Sequence, residues 1–303
     1  AKEIKSDGNV TNAFKNAEHI IESTYTLPHL VHAPMEVPNA TAWVKEDGTC
    51  EVWTPIQAPQ AARKEVAEYL KTEVENVTIN VTFLGGGFGR KSKPDFVVEA
   101  VVVSKAINAP VQLVWTREDD IHHSYYHAVS AQYLKGALDK DGNVTGWLQR
   151  VAYPSIASTF APDTGFAAEW ELGMGLTNMP YQIDNLKFEN GKAPAHIRIG
   201  WLRSVISIVQ GFSVDSFVDE LAAKAGKDPL QFRLDLIGND RIENPDSDNP
   251  FHSAKLKHVL KTAAKNANYG ATLPEGHGIG IAVHYSFYSY VASVIEVSVK
   301  DNN

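Results

Sequence analysis

The chain has 303 residues and 44% hydrophobic content, enough to bury a substantial core as one large region or as two α+β halves, about 1–150 and 151–303. Its formal charge is −8 and no run of Lys or Arg forms a stripe, which argues against nucleic-acid binding. No apolar stretch approaches the ~20 residues needed to span a bilayer, and one cysteine, Cys50, leaves no internal disulfide, thiolate zinc cluster or iron–sulfur site within these residues.

The first eight residues are polar, mixed in charge and without signal-peptide character, and they read as a loop. Thr41–Val44 and Thr49–Trp53 alternate around Asp47-Gly48, which predicts a hairpin. Cys50 falls in this strand pattern as a small core residue. Gln60–Leu70 has helical spacing, with Ala62, Val66, Tyr69 and Leu70 on one face. A strand over Val77–Phe83, a helix over 95–106 opened by Pro94, and a strand over Val111–Trp115 follow. Gln132–Leu138 and Val144–Val151 form a second hairpin across Asp141-Gly142.

Residues 153–200 are rich in proline, glycine and aromatics with little periodicity, which predicts a long structured loop or short strands. Helices return at Ser213–Lys224, Pro229–Leu236 and Ser253–Asn268, the last with Ser253 as N-cap. Gly278–His284 and Val291–Val299 are strand-like, and the run into Asp301-Asn302-Asn303 predicts a turn and a partner strand beyond, hence a fragment or one subunit of something larger. Hairpins and helices in mixed order predict an α+β fold with mixed or antiparallel sheets and packed helices, rather than a doubly wound parallel sheet.

The most informative stretch is Leu84-Gly85-Gly86-Gly87-Phe88-Gly89-Arg90, between a strand and a helix. Glycines remove every Cβ from the loop, so backbone amides can approach a ligand that side chains would exclude. Amides converging before a helix N-terminus favour negative charge, which points to an anionic cofactor or substrate group. A tight strand-to-helix turn without a ligand is the other reading. The loop lacks both the Gly-Lys-Ser/Thr ending and the Gly-x-Gly-x-x-Gly spacing of nucleotide fingerprints. Phe88 either hooks into the core or faces a ligand.

Other chemistry-bearing groups read as structural. Glu118, Asp119 and Asp120 suit helix capping or solvation. His122, His123 and His127 have ligand-like spacing, but no helix pattern puts them on one face, and a solvated loop is the better reading. Asp219 and Glu220 read as solvated or capping carboxylates.

Several segments, in order, resemble the molybdopterin-binding subunit of the xanthine oxidase family, in the branch of isoquinoline 1-oxidoreductase β-subunits and bacterial aldehyde dehydrogenases. They are Leu30–Glu36 (Leu-Val-His-Ala-Pro-Met-Glu), Trp53–Gln60, Gly85–Arg90, Trp115–Asp120, Gly200–Val205 (Gly-Trp-Leu-Arg-Ser-Val), Phe217–Ala222 and Gly280–His284. The resemblance spans about residues 18–299 and implies the first part of a xanthine-oxidase-type molybdopterin-binding domain. It implies a molybdenum held by a pyranopterin dithiolene, in the cytosine dinucleotide form, with no required bond from a protein side chain. The implied reaction inserts water-derived oxygen into an N-heterocycle or an aldehyde, and electrons leave through an iron–sulfur subunit.

Carried over residue by residue, the resemblance assigns Gly86, Gly87, Phe88, Gly89 and Arg90 to the cofactor loop. It matches Gln57 to a glutamine whose amide hydrogen-bonds an oxygen on the molybdenum, a donor that adds no charge. Arg203 and Ser204 match a second cofactor-facing segment, where an arginine suits an anionic partner. His32 with Met35-Glu36 is a family landmark assigned to packing and loop shape, with function open.

The chain departs from the family at Val37, where relatives have proline, at Ile206, where they have glycine, and at His127. A branched residue at 206 is expected to stiffen a segment that approaches the cofactor. The family's glutamate base matches nothing here, so no catalytic residue is assigned. The chain alone is expected to be incomplete as an enzyme, completed by a C-terminal half or a second molybdopterin-binding chain. The alternative is a non-catalytic scaffold or assembly module of the same fold that has lost the cofactor; an unrelated enzyme holding a phosphorylated ligand on the glycine loop is a third reading. Phe160, Phe166 and Trp170 are candidate substrate-pocket walls, with core packing equally open. Relatives are often exported by a twin-arginine signal that this chain lacks, leaving periplasm and cytoplasm both open.

Overall fold

A computed structural model describes residues 1–300. In chain order its elements are β1 (Lys2–Asp7), α1 (Val10–Lys15), β2 (His19–Leu27), β3 (Asn39–Val44), β4 (Cys50–Thr54), α2 (Pro59–Leu70), β5 (Val77–Val81), α3 (Asp95–Ile107), β6 (Val111–Val114), α4 (Arg117–His122), β7 (Ser130–Leu138) and β8 (Val144–Ala152). There follow α5 (Glu169–Leu172), β9 (Leu186–Asn190), α6 (Ser207–Ala225), α7 (Pro229–Ile237), β10 (Ile242–Glu243), β11 (Phe251–His252), α8 (Ser253–Asn266), β12 (His277–Ser286) and β13 (Ser289–Ser298).

The α+β class with mixed sheets holds. A four-stranded sheet runs β5-β4-β3-β6, with β4 and β5 parallel and the other pairs antiparallel. A five-stranded sheet runs β1-β9-β8-β7-β2, parallel only between β8 and β9. Both expected hairpins form, and their turns place Gly48 (φ 84°) and Gly142 (φ 71°) in the left-handed region that favours glycine.

Two hydrophobic cores result. The smaller draws on Ala40, Val52, Ala62, Val66, Phe96, Val97 and Val101, where α2 and α3 cover the four-stranded sheet. In α3 the buried set Phe96, Val97, Ala100, Val101 and Ser104 follows the helical repeat, which is why an apolar run this short makes one face. The larger core packs α6, α7, α8 and the β12–β13 hairpin against the five-stranded sheet, around Trp147, which meets Phe217 edge to face at 5.0 Å. A boundary near residue 150 falls inside β8 and within this larger core, whereas the smaller core occupies 40–115.

Four local expectations change. Residues 2–7 form an edge strand instead of a loop, because β9 offers its backbone to a charged segment whose side chains stay in water. α6 begins six residues before 213, since Ser207, Val209 and Gln210 are buried by tertiary packing that their own pattern does not announce. Ser253 is the first helical residue of α8 rather than its cap; its buried hydroxyl accepts from the Arg241 amide at 2.8 Å. The 77–83 strand stops at Val81, leaving Phe83 fully exposed. The turn expected at Asp301-Asn302-Asn303 lies outside the described residues.

Candidate functional site

Three segments distant in sequence meet above the smaller core. The first is 30–36, the second is the glycine loop with Gln57 beside it, and the third is the arch 198–205 that leads into α6. Glu36 joins the first two: its amide donates to the Gly85 carbonyl (3.0 Å), and its Oε2 accepts from the Gly85 amide (2.8 Å) and from Lys91 Nζ (2.6 Å). Burial works to raise the Glu36 carboxyl, but the bonds from Lys91 and Gly85 outweigh it and hold the group below its ordinary value. Lys91, with no exposed side-chain surface, is pushed down by burial against the opposing pull of Glu36.

Gln57 is tied to the loop and to Lys91 just after it. Its amide donates to the Lys91 carbonyl (2.9 Å) and its Oε1 accepts from the Gly89 amide (3.0 Å). That second bond fixes the side chain's orientation, so the Nε2 group is left as an outward donor. A Cβ at Gly87 would overlap Gln57 Oε1, and one at Gly89 would overlap the Trp201 carbonyl; Gly89 also holds φ 103°. The glycines here allow close approach by Gln57 and Trp201. The amides of Gly86, Gly87 and Phe88 have no acceptor among the described residues.

The arch closes over the loop through the Arg203 amide, which donates to the Phe88 carbonyl at 2.9 Å. The Arg203 guanidinium is exposed and forms no hydrogen bond or ion pair among the described residues. Four non-glycine residues in these segments hold left-handed backbone: Ala33 (φ 41°), Phe88 (53°), Ser204 (72°) and Val205 (51°). A β-branched residue there is an outlier, and such conformations cost about 1–3 kcal/mol each unless their surroundings hold them. Their concentration where the segments meet makes this the candidate site.

Gln57, Gly86, Gly87, Phe88, Gly89, Arg203 and Ser204 therefore lie in one assembly. Arg90 differs: its side chain is wholly buried, clasps Asp95 through two bonds (2.8 and 2.9 Å) and lies over the Trp115 ring at 5.0 Å. It braces the loop from beneath, with no face toward the opening. Ile206 is fully buried at φ −75°, an ordinary helical geometry that a branched side chain adopts without strain.

The structural readings fare unevenly. Thr116 and Asp119 form a reciprocal capping box at α4, as expected of that acidic cluster, and Asp120 is buried against Arg117 (2.6 Å). His127 is no solvated loop residue: it is fully buried. Asp219 pairs with buried Arg233 (2.5 Å), and Glu220 accepts from the hydroxyls of Ser23 and Tyr25. Phe160 stacks on Trp201 (5.5 Å, 22°) beside the arch. Trp170 instead lines a separate cavity of about 300 Å³ with Met174, Tyr285 and Tyr288, and half-buried Phe166 lines neither. A groove of about 540 Å³, rimmed by Ser204, Phe212, Asp215, His284 and Ile295, runs between α6 and the β12–β13 hairpin. Sequence reasoning gave it no place, because its two walls are some eighty positions apart.

No group of three or more His, Cys, Asp or Glu among the described residues is arranged to hold a metal ion. The donors present are amides, one carboxamide, one guanidinium and the Ser204 hydroxyl. They suit a ligand rich in anionic and carbonyl oxygens that brings any metal with it.

Comparisons with known proteins agree with that chemistry. Residues 1–236 match the family model described as the molybdopterin cofactor-binding domain. The chain is 29% identical over 297 residues to the membrane-bound aldehyde dehydrogenase [pyrroloquinoline-quinone] of Gluconacetobacter polyoxogenes, covering 92% of this chain and 37% of that protein. It is 27% identical over 289 residues to the isoquinoline 1-oxidoreductase subunit beta of Brevundimonas diminuta, covering 91% of this chain and 35% of that one. Quinoline 2-oxidoreductase from Pseudomonas putida 86 shares the fold with a TM-score of 0.69 at 17% identity, over 93% of this chain and 38% of its own. The chain thus spans little more than a third of the relatives it matches. Its loop, its arch and the family match over most of its length agree: the chain belongs to the molybdopterin cofactor-binding domain family, in the xanthine oxidase group.

Proposed function

We propose that this chain is the molybdenum-cofactor-binding part of a molybdenum hydroxylase that oxidises an aldehyde or an N-heterocycle with water-derived oxygen. The observation that carries the reading is the meeting of Gln57, the glycine loop and the Arg203 arch at one opening, with donors that have no acceptor among the described residues. The molybdenum–pterin, in the cytosine dinucleotide form, supplies the two-electron redox chemistry when bound. The residues of this chain bind and orient it: the Gly86, Gly87 and Phe88 amides and Gln57 Nε2 donate to its oxygens, and Arg203 balances its charge. Ser204 adds a hydroxyl at the rim. The orientation of Gln57 is set in advance by the Gly89 amide, so no reorganisation is needed on binding.

The proton-abstracting group, the iron–sulfur subunit that takes the electrons and the remaining wall of the substrate pocket come from further polypeptide. Supporting this, Met35, Phe83 and Leu84 near the loop, and Phe212, Ile295 and Val297 around the hairpin, expose apolar surface that a partner would cover. Molybdenum and pterin analysis of the native full-length protein tests the proposal, with about one of each expected per protein. Arg203→Ala should lower both about tenfold in affinity, as loss of a charge-assisted bond does. A folded assembly with neither molybdenum nor pterin would overturn the reading in favour of the scaffold alternative; pyrroloquinoline quinone in their place would overturn the choice of cofactor.

A further inference from the structure

His32 and His127 sit under the two ends of the arch. His32 Nε2 lies 2.9 Å from the Trp201 carbonyl, and His127 Nε2 lies 3.0 Å from the Val205 carbonyl. Between these carbonyls stand Arg203 and the left-handed residues Ser204 and Val205. Both rings are more than nine-tenths buried. A carbonyl only accepts, so each Nε2 must carry the hydrogen, and the Nδ1 atoms, which have no partner among the described residues, are bare acceptors. The backbone ties the rings into the same assembly: the His127 amide donates to the Leu30 carbonyl (2.9 Å), two residues before His32, and the Gly200 amide donates to Tyr126 (2.9 Å).

We propose that His32 and His127 are positioning residues, a pair of neutral imidazoles that clamp the carbonyls of Trp201 and Val205 and so hold the strained arch, and with it Arg203, over the glycine loop. The proposal rests on the reading of this opening as the cofactor site, but the clamp is a property of the chain's own bonds. Two consecutive left-handed non-glycine residues do not persist unaided. The imidazole donors at Trp201 and Val205 add restraint to the arch's own turn bonds, from the Val205 amide to the Leu202 carbonyl (2.7 Å) and from the Ser207 amide to the Ser204 carbonyl (3.0 Å), and the Arg203–Phe88 bond then sets its height above the loop. Burial lowers both rings' proton affinity; backbone bonds to Trp201 for His32, and to Val205 and Ala128 for His127, oppose it, and the basic groups facing the rings, Arg90 and His127 for His32 and His29 for His127, add to the lowering.

The test uses His32→Leu and His127→Leu in the native full-length protein, with the corresponding Gln variants, which keep a donor near the position of Nε2. Hydrogen exchange reports the Arg203 amide, and cofactor content is measured in parallel. Each Leu variant should raise exchange at that amide about tenfold and each Gln variant should restore most of the protection. Unchanged exchange in the Leu variants, or Gln variants as exposed as Leu, would overturn the clamp. Should the Leu variants fail to accumulate, the Gln variants compared with wild type decide: near-wild-type protection at Arg203 supports the clamp, and protection lost despite the retained donor overturns it. A clamp that holds in protein free of molybdenum and pterin would leave this inference standing and remove the proposed cofactor. Loss of the clamp with full cofactor retention would do the reverse.

Discussion

The glycine-loop assembly and the β12–β13 hairpin are both covers laid on a hydrophobic core, yet they are held in opposite ways. The loop is tied by polar bonds between segments far apart in sequence, among them Glu36–Lys91, Gln57–Gly89 and Arg203–Phe88. The hairpin is seated by its inner face, where Ile281 and Val283 join the larger core, and the Asp215 carboxylate accepts from the Val283 amide at 3.3 Å. Its other side stays open, with Ile295 63% exposed and Val297 56% exposed. A site that must hold polar atoms in fixed positions uses directional bonds. A surface awaiting apolar contact leaves its hydrophobic residues bare.

If that contrast is right, the most damaging change is beneath the hairpin. Arg233 has no exposed side-chain surface and bonds Asp215 (3.2 Å) and Asp219 (2.5 Å). Arg233→Ala leaves buried Asp215 uncompensated and should cost about 3–5 kcal/mol in urea unfolding of the full-length protein. A loss below about 1 kcal/mol would mean that the α6–α7 pair does not support the hairpin's seat.

Next in size is Gly89→Ala, which brings both backbone strain and overlap with the Trp201 carbonyl. It should cost about 2 kcal/mol or more and release the arch. Gly48→Ala is the control, at φ 84° with open space around the missing Cβ, and should cost only about 1 kcal/mol. Equal costs in the two variants would show that the loop and arch are not in close register.

The smallest effect is expected on the open side of the hairpin. Ile295→Lys should change the stability of the chain by no more than about 0.5 kcal/mol in urea unfolding, because that side chain is 63% exposed. A large loss of stability would mean that this face is already packed within the chain.

Local pattern was a good guide where neighbours in sequence are neighbours in space. The Asp47-Gly48 and Asp141-Gly142 hairpins, α2 from its helical spacing and α3 behind Pro94 were all legible, because turn chemistry and helical spacing act within a few residues. β1 and the first turn of α6 were not, since their conformations are decided by β9 and by burial against the larger core. The candidate site was legible in part. Gln57, the glycines and Arg203 are named by motif, whereas the inward turn of Arg90 and the burial of His127 follow from partners that no local pattern reveals.

What the sequence determined by itself was the chemistry available: permissive backbone at 85–89, a neutral amide at 57, a guanidinium at 203, and a single cysteine that leaves no thiolate cluster within these residues. Tertiary structure alone decided which of these atoms face outward unsatisfied. Each hydrogen bond uses one donor and one acceptor, and only when Gln57 Oε1 had accepted from Gly89 and Asp95 had accepted from Arg90 did the remaining donors define an opening.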